Sequence, residues 1–259
     1  MARVETYSYG QGKLYLANRD SSGNIGAQRW VGDVSELSVS LTVEDFTHKE
    51  SYSGSRQEVR KIITSKSGEV STKFHELSID NLALMLLGSP IKTVGSTVTG
   101  EKLPAEIEVG DRIALAHPNV SNVTIEGLTE NTDFIVDEIF GALEFLKKQT
   151  GLTKTVAYTY GASESVALLT ENPKDLFLRF EGVNLAENNE WNIVELYKIN
   201  FNPTDALNLI NSDNSLDALS AKAKVLADTT KVGDAKLGRF GRVIKSVNNP
   251  FPGVNPGEN

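Results

Sequence analysis

The sequence has no cysteine among its 259 residues. Without thiols the chain cannot form disulfides, thiolate zinc sites, iron–sulfur clusters or a cysteine nucleophile. Long apolar runs are also missing, because the longest, residues 82–87, is far shorter than the ~20 residues of a membrane-spanning helix. The first ten residues contain Glu5 and no apolar run, so we expect a soluble protein without a secretory signal.

Positive charge is in deficit. The chain has 26 Lys and Arg against 34 Asp and Glu, a formal net charge of −8. A protein that binds nucleic acid tightly needs clustered cations, so the excess of acidic residues disfavours a nucleic-acid-binding protein. The length fits either one large domain or two ordinary ones.

Catalytic and metal-binding motifs are absent as well. His48, His75 and His117 are far apart, and none belongs to an H-x-x-x-H ligand pair. No P-loop, nucleophile elbow or dinucleotide-binding fingerprint occurs. We therefore expect a protein that is not an enzyme and has no catalytic residues, metal or cofactor.

One enzymatic alternative remains open. Asp133, Asp137 and Glu138 suggest paired acid–base groups, as in glycoside hydrolysis. They flank a predicted hairpin, where outward-facing turn carboxylates are the commoner explanation. A hydrolase is thus a minor competing hypothesis.

Regular alternation predicts a strand over residues 34–44. Leu37, Val39 and Leu41 fall on one face, and small hydroxyl residues fall on the other. The first face is predicted to pack on the core and the second to be wet.

The next segments predict an antiparallel meander. Residues 45–57 are a polar stretch, which we interpret as a long loop. Residues 58–66 and 69–77 are two further extended runs joined by a turn at Ser67-Gly68. Three consecutive strands of this kind normally pair with their neighbours.

One short amphipathic helix is predicted over residues 79–86. Ser78 is a suitable N-cap, and Asp80 suits the positive N-terminal end of a helix. Gly88 and Pro90 end the helix. The helix should pack on the sheet.

An inserted all-β domain is predicted over residues 90–171. Residues 89–99 are small and polar, which is typical of a linker. Short, evenly spaced strands then suggest a small β-sandwich or barrel. These strands cover residues 106–109, 112–116, 122–126 and 154–160, with a hairpin over 133–145 that turns near Phe140-Gly141.

The first domain, residues 1–89, is predicted to resume over residues 172–247. Its later strands are residues 175–183, 191–201 and 219–227. The final residues, 248–259, contain three prolines and are predicted to be an extended or disordered arm.

Several segments occur in a characteristic order: Gly-Lys-Leu-Tyr-Leu-Ala at 12–17, a strand–loop–strand over 32–62, a helix over 78–88, and strands around 178–182 and 194–198. This order resembles the tail tube, or major tail, proteins of long-tailed bacteriophages. The resemblance covers residues 1–89 and about 172–247, and residues 90–171 would be a decorating insertion.

The resemblance implies a mainly-β fold, a tail-tube-type β-sandwich or barrel with one flanking α-helix, plus the inserted β domain on the tube exterior. Subunits would assemble into stacked hexameric rings that form the hollow tail tube of the virion. The implied partners are other copies of the chain, the tape-measure protein and tail-end proteins. Double-stranded DNA would pass through without tight binding, no membrane would be involved, and the protein would be made in the bacterial host cytoplasm.

The resemblance also implies two groups of site residues. The wet face of the first predicted strand would line the lumen, through Ser38, Ser40, Thr42 and Glu44. The predicted loop would reach the next ring through Phe46, His48, Lys49, Glu50, Tyr52 and Arg56. Lys222 and Lys224 fit a DNA conduit poorly if they face the lumen, since cations hold phosphates, and their orientation is open.

A soluble binding or adhesin β-sandwich for a carbohydrate or protein ligand has the same periodicity. Exposed aromatic side chains would favour that alternative, because sugars stack on Trp and Tyr faces. Trp30 and Trp191 instead lie in strand-like segments, where half-buried structural roles are expected. Ring assembly is therefore the preferred prediction.

Overall fold

A computed structural model describes residues 7–150, 154–186, 189–210, 216–231 and 238–245. The described residues form many strands and one helix, α1 (Ile79–Met85), which confirms the predicted mainly-β fold with a single helix. No helix in these ranges is long and apolar enough to cross a membrane. The strands are β1 (Gly10–Arg19), β2 (Ile25–Trp30), β3 (Val34–Lys49), β4 (Glu58–Phe74), β5 (Pro90–Thr93), β6 (Ser96–Lys102), β7 (Arg112–Ala114), β8 (Val120–Ile125), β9 (Phe134–Asp137), β10 (Ala142–Phe145), β11 (Thr155–Tyr160), β12 (Ser163–Val166), β13 (Asp175–Asn184), β14 (Glu190–Phe201), β15 (Leu219–Val225) and β16 (Gly241–Lys245).

The chain divides into two compact units. Unit 1 comprises Met1–Ser89 and Ala167–Asn259, and unit 2 comprises Pro90–Val166. Unit 2 therefore ends at Val166, whereas the predicted insertion runs to residue 171. Leu169 and Glu171 belong to unit 1, where their amides donate to the carbonyls of Leu86 and Leu87 after α1. The C-terminal segment that was predicted to be extended or disordered, residues 248–259, lies outside the described residues.

Unit 1 is one antiparallel sheet in the order β2-β1-β13-β14-β15-β4-β3, with β16 also paired to β14. One face carries the core. In β15, for example, four apolar residues are buried and alternate with exposed polar ones, as predicted, because successive side chains point to opposite faces. The core also includes Leu14, Leu16, Val70, Phe74, Leu178, Leu196 and Ile199.

Helix α1 covers this core as predicted. The Ser78 hydroxyl accepts a hydrogen bond from the Asn81 amide at 3.4 Å, which is an N-cap contact. Asn81 is fully buried, and its side chain donates to the carbonyls of Val31 and Glu76 and accepts from Arg29. The buried amide is thus satisfied, and it fixes the helix to the chain between β2 and β3.

The predicted meander is wrong, because β3 and β4 form a single long hairpin. The prediction of a loop over residues 45–57 is wrong for its first part, since β3 continues to Lys49. Register shifts after Glu44 and after His48 mark bulges, which disturb the alternation that a sequence pattern needs. The predicted turn at Ser67-Gly68 is also absent, and β4 passes through it.

Gly68 explains the missing turn. It is buried in the strand, and a Cβ there would lie 3.2 Å from Val225 and 3.3 Å from Leu41. The glycine therefore allows close approach of neighbouring side chains inside a sheet, which is a second common reason for a glycine in a strand.

Unit 2 has two three-stranded antiparallel sheets, β7-β10-β9 and β6-β11-β8. Their inner faces share one core that includes Val123, Phe134, Leu143 and Tyr158. The hairpin predicted over residues 133–145 is present as β9 and β10. The predicted linker over 89–99 is wrong, because it contains β5 and the first part of β6. The predicted strand at 106–109 is reduced to a bridge between Ile107 and Gln149.

Candidate self-association surface

The outer half of the β3–β4 hairpin extends beyond the rest of the sheet. Strand β15 pairs with β4 only from Gly68 to Phe74. Beyond Gly68, β4 has only β3 beside it among the described strands. We call residues 42–67, which form this two-stranded extension, the arm. At roughly 3.3 Å per residue, its eight β3 residues span about 26 Å.

The arm exposes large apolar side chains that have no core to pack against. Six of them are between 46% and 84% exposed, and Leu41, at the base, is 76% exposed. Several large apolar side chains exposed on one two-stranded ribbon indicate an interaction surface rather than an ordinary soluble face. The six are Val43, Phe46, Tyr52, Val59, Ile62 and Ile63.

The predicted burial of the first strand is only partly correct. Val39 pairs with the buried Val70, so its side chain is on the core face, as the alternation predicts. Val39 is nevertheless 39% exposed, and Leu41 is mostly exposed, because the core ends near Gly68. The prediction that both are buried is therefore wrong for the single chain.

The tip of the arm is closed by Glu50. The Glu50 amide donates to the carbonyl of Gln57 at 2.9 Å. Its carboxylate accepts hydrogen bonds from the amides of Tyr52 at 2.9 Å and Ser53 at 2.8 Å, and from the Ser53 hydroxyl. These donors, the Ser53 hydroxyl first, lower the pKa of Glu50 to about 2.

The other residues predicted for the stacking loop are spread along the arm. Phe46 and His48 lie in β3, opposite Ile62 and Arg60. Lys49, at the base of the loop, is 3.7 Å from the Glu58 carboxylate. Tyr52 and Arg56 lie in the loop itself, Tyr52 being 84% exposed and Arg56 having a positive φ of 52°.

The residues predicted to face the lumen lie together on one polar face of the sheet. Ser38 pairs with Ser71, and Thr42 pairs with Ser67. Glu44 pairs with Ser65, whose hydroxyl donates to the Glu44 carboxylate at 2.8 Å. The face thus combines small hydroxyl groups with a carboxylate near its outer end.

This face also contains the two lysines whose orientation the sequence left open. Ser40 pairs with Glu69, and Glu69 pairs with Lys224 in the next strand. In the neighbouring row, Ser71 lies between Ser38 and Lys222. Both lysines are therefore on the face that carries the predicted lumen residues.

Several cations of this sheet are paired with carboxylates. Lys222 is 3.0 Å from Asp205, and that hydrogen bond raises the pKa of Lys222. Glu195, which is 6% exposed, bridges Arg179 at 2.5 Å and Arg242 at 2.6 Å. Further pairs join Lys73 to Glu36 and Lys198 to Asp175. Paired cations attract phosphates less than unpaired ones do.

Both ends of the sheet order are strand edges. Strand β3 is one edge, and β2, with Ile25 41% and Trp30 51% exposed, is the other. The Nζ of Lys13 lies 5.8 Å from the Trp30 ring. Exposed edges present unpaired backbone groups and are natural sites for pairing with another chain.

Two of the three alternative acid–base groups, Asp133 and Asp137, are engaged in ion pairs. Lys147 lies 2.7 Å from Asp133, and Arg112 lies 2.7 Å from Asp137. Hydrogen bonds from these cations lower the pKa of both carboxyl groups. A general acid in glycoside hydrolysis needs a raised pKa, so this geometry does not favour that chemistry.

The histidines lie in separate places. His75 Nε2 is 2.8 Å from the Ser35 hydroxyl, and His117 stacks on Tyr160 with ring centroids 3.8 Å apart. His48 is on the arm. Within the described ranges, no group of three His, Cys, Asp or Glu could hold a metal ion.

Sequence reasoning did not include Val59, Ile62 and Ile63 in the site. The sequence feature that could have indicated them is a group of three large apolar residues in a segment that also contains Arg60 and Lys61. Only the pairing with β3 shows that they belong to the same exposed ribbon as Phe46.

The fold and site define a mainly-β protein with an extended, exposed hairpin. A sequence model of one protein family matches residues 7–244, and the chain belongs to that family, which is described as "Protein of unknown function UCP028589". A comparison with curated proteins gave no match.

Proposed function

We propose that this protein is a structural subunit that assembles with copies of itself into stacked hexameric rings, as tail tube proteins of long-tailed bacteriophages do. The observation that carries the proposal is the arm. A two-stranded hairpin alone is marginally stable in water, and this one exposes apolar groups instead of covering them. A neighbouring copy would supply the missing packing surface.

The unpaired edges support closed assembly. An open sheet with free edges risks uncontrolled pairing, and a ring removes that risk because each edge meets the edge of the next subunit. Pairing between the β3 edge of one copy and the β2 edge of the next uses both ends of the sheet. Such a head-to-tail contact closes into a cyclic oligomer when the rotation fits.

The polar face suits the wall of a passage. Hydroxyl groups with matched charges hold water without binding a polyanion strongly. With this face inward, Ser38, Ser40, Thr42 and Glu44 line the lumen. Lys222 and Lys224 then lie beside Asp205 and Glu69, which limit their attraction for DNA phosphates.

Negative-stain electron microscopy of the purified protein tests the proposal. We expect rings or stacked tubes from the full chain. The control replaces residues 44–65 with Asn-Gly between the paired Val43 and Lys66, which retains a two-residue hairpin turn. This armless variant should remain a folded single subunit.

The result against the proposal is a full chain that stays monomeric at every soluble concentration and in a native tail preparation. A monomer that binds oligosaccharides would instead favour the alternative of a soluble binding module.

A further inference from the structure

Glu50 is buried at a place where its neighbours are not. It lies at the far end of the arm and is only 4% exposed, whereas Tyr52 two residues later is 84% exposed. A carboxylate with little solvent access needs hydrogen-bond donors around it. The loop supplies them from its own backbone and hydroxyl groups.

Every partner of the Glu50 carboxylate is a donor. One oxygen, Oε2, accepts the two short amide hydrogen bonds from Tyr52 and Ser53. The other, Oε1, accepts from the Ser53 hydroxyl and more distantly from the Ser55 hydroxyl at 3.3 Å and the Gln57 amide at 3.4 Å. An ionised carboxylate accepts at both oxygens and presents no proton of its own, whereas an amide side chain would direct an NH₂ group at one set of donors.

The loop is longer and more strongly held than a hairpin turn requires. Two residues suffice to reverse the chain direction in a hairpin. Residues 50–57 instead form a longer loop, which the hydrogen bond from the Glu50 amide to the Gln57 carbonyl closes at its base, and Gly54 and Arg56 have positive φ angles. None of the core clusters among the described residues includes a residue of this loop, so the carboxylate holds the loop in this shape. The shape leaves Tyr52 exposed at the end of the longest hairpin among the described residues.

We infer that Glu50 is a positioning residue, which holds the tip in the shape that a second copy of this chain binds through Tyr52. The inference rests on the proposed function and goes beyond it by naming the residue that pre-forms the contact. Pre-formed loops bind more tightly because less conformational freedom is lost on association. Exposed tyrosines are frequent energetic centres of protein interfaces.

Charge complementarity favours a second copy as the partner. The arm has five Lys and Arg against four Asp and Glu, a net charge of +1. The whole chain has a net charge of −8, so the residues outside the arm carry −9. Among the described residues, Arg56, Arg60 and Lys66 have no carboxylate within ion-pair distance. A slightly basic arm on an acidic body is attracted to the body of another copy.

The experiment compares three variants of the full chain with the wild type. Glu50→Gln removes the charge and half of the acceptor capacity, and Ser53→Ala removes one donor while both backbone amide contacts remain. Asp133→Asn is the matched control, because Asp133 also organises a loop, accepting from the Thr129 amide at 2.8 Å, but in unit 2. Amide hydrogen exchange is measured in dilute protein and self-association by sedimentation velocity.

We expect Glu50→Gln to lose protection at the Tyr52 and Ser53 amides while the strand amides of the arm remain protected. The concentration needed for assembly should rise about tenfold or more, which corresponds to about 1.4 kcal/mol or more of association free energy. Ser53→Ala should give a smaller rise, and Asp133→Asn should assemble like the wild type.

Two results would overturn the inference and leave the proposed function intact. In one, Glu50→Gln assembles at the wild-type concentration although its tip amides exchange freely. In the other, its tip amides stay protected. A wild-type chain that never self-associates would overturn both proposals together.

Discussion

Leu41 lies against Gly68, and this pair marks the boundary between the body of unit 1 and the arm. A Cβ on Gly68 would be 3.3 Å from the Leu41 Cδ2 atom and 3.2 Å from the Val225 Cβ atom. Val225 is the last residue of β15, so beyond this point no third strand among those the structure describes pairs with the hairpin. Leu41 itself is 76% exposed, because the core ends at this boundary.

Leu41→Ser and Val70→Ser should separate association from folding. Leu41 is mostly exposed, so its replacement should change the free energy of unfolding by no more than about 0.5 kcal/mol and weaken self-association. Val70 is fully buried, and its replacement should cost about 2 kcal/mol or more. Chemical denaturation and sedimentation velocity measure the two effects. Equal destabilisation by both variants would show that Leu41 belongs to the core of the single chain.

The tip should retain its structure until strongly acidic pH. The folded-state pKa of Glu50 is depressed from 4.5 to about 2, so its stabilising contribution is fully present above 4.5. That contribution is lost progressively as the pH falls from 4.5 through about 2. The amide resonance of Ser53, which donates to Glu50, should therefore titrate with a midpoint near pH 2. A midpoint near 4.5 would contradict the hydrogen-bonded tip.

Asp228→Asn should destabilise unit 1. Asp228 forms a 2.8 Å ion pair with Arg19, and the two side chains are 3% and 5% exposed. Although burial raises the pKa of Asp228, hydrogen bonds from Thr230 and Arg19 outweigh it and lower the pKa. Removing one partner of a buried pair leaves an uncompensated charge, which costs about 3–5 kcal/mol.

The control for that experiment is Asp205→Asn, which breaks the exposed pair with Lys222. It should shift the thermal midpoint far less, because exposed ion pairs contribute little. Similar shifts for the two variants would mean that the Arg19–Asp228 pair is accessible to water in solution.

Replacing unit 2 with a short linker should leave unit 1 folded. Pro90 pairs with Val166, so the two junctions are neighbouring strand positions, and a few Gly and Ser residues can join Ser89 to Ala167. If this unit lies outside the tube wall, as predicted, the variant should form tubes of unchanged inner diameter. A narrower bore, or an unfolded chain, would place the segment in the wall.

The junction itself can be tested by comparison with a longer deletion. A variant that removes residues 90–171 also removes the amides of Leu169 and Glu171 that donate to the carbonyls after α1. It should be less stable than the variant that removes only 90–166.

Strong periodicity explains what the sequence could predict. The alternation in β15, the cap at Ser78 and the hairpin of β9 and β10 are local signals, and each corresponds to an observed element. The polar set Ser38, Ser40 and Thr42 was likewise visible as one face of a strand.

Features that depend on distant partners could not be predicted. Whether Leu41 is buried depends on where β15 ends, more than 180 positions later in the chain. Gly68 resembles a turn residue in the sequence, and only its pairing with Val225 in the sheet shows why a glycine is needed there. Bulges near Glu44 and His48 hid the continuation of β3, and the role of Glu50 depends on donors that adopt their positions only in the folded loop.

Sedimentation velocity of the full chain, alongside the armless variant, tests the central claim most directly. If the arm drives assembly, the full chain shifts with rising concentration from the mass of one chain to ring and tube species, and the variant stays at the mass of one chain. A full chain that sediments as a single subunit at all soluble concentrations, or an armless variant that assembles equally well, would contradict the claim.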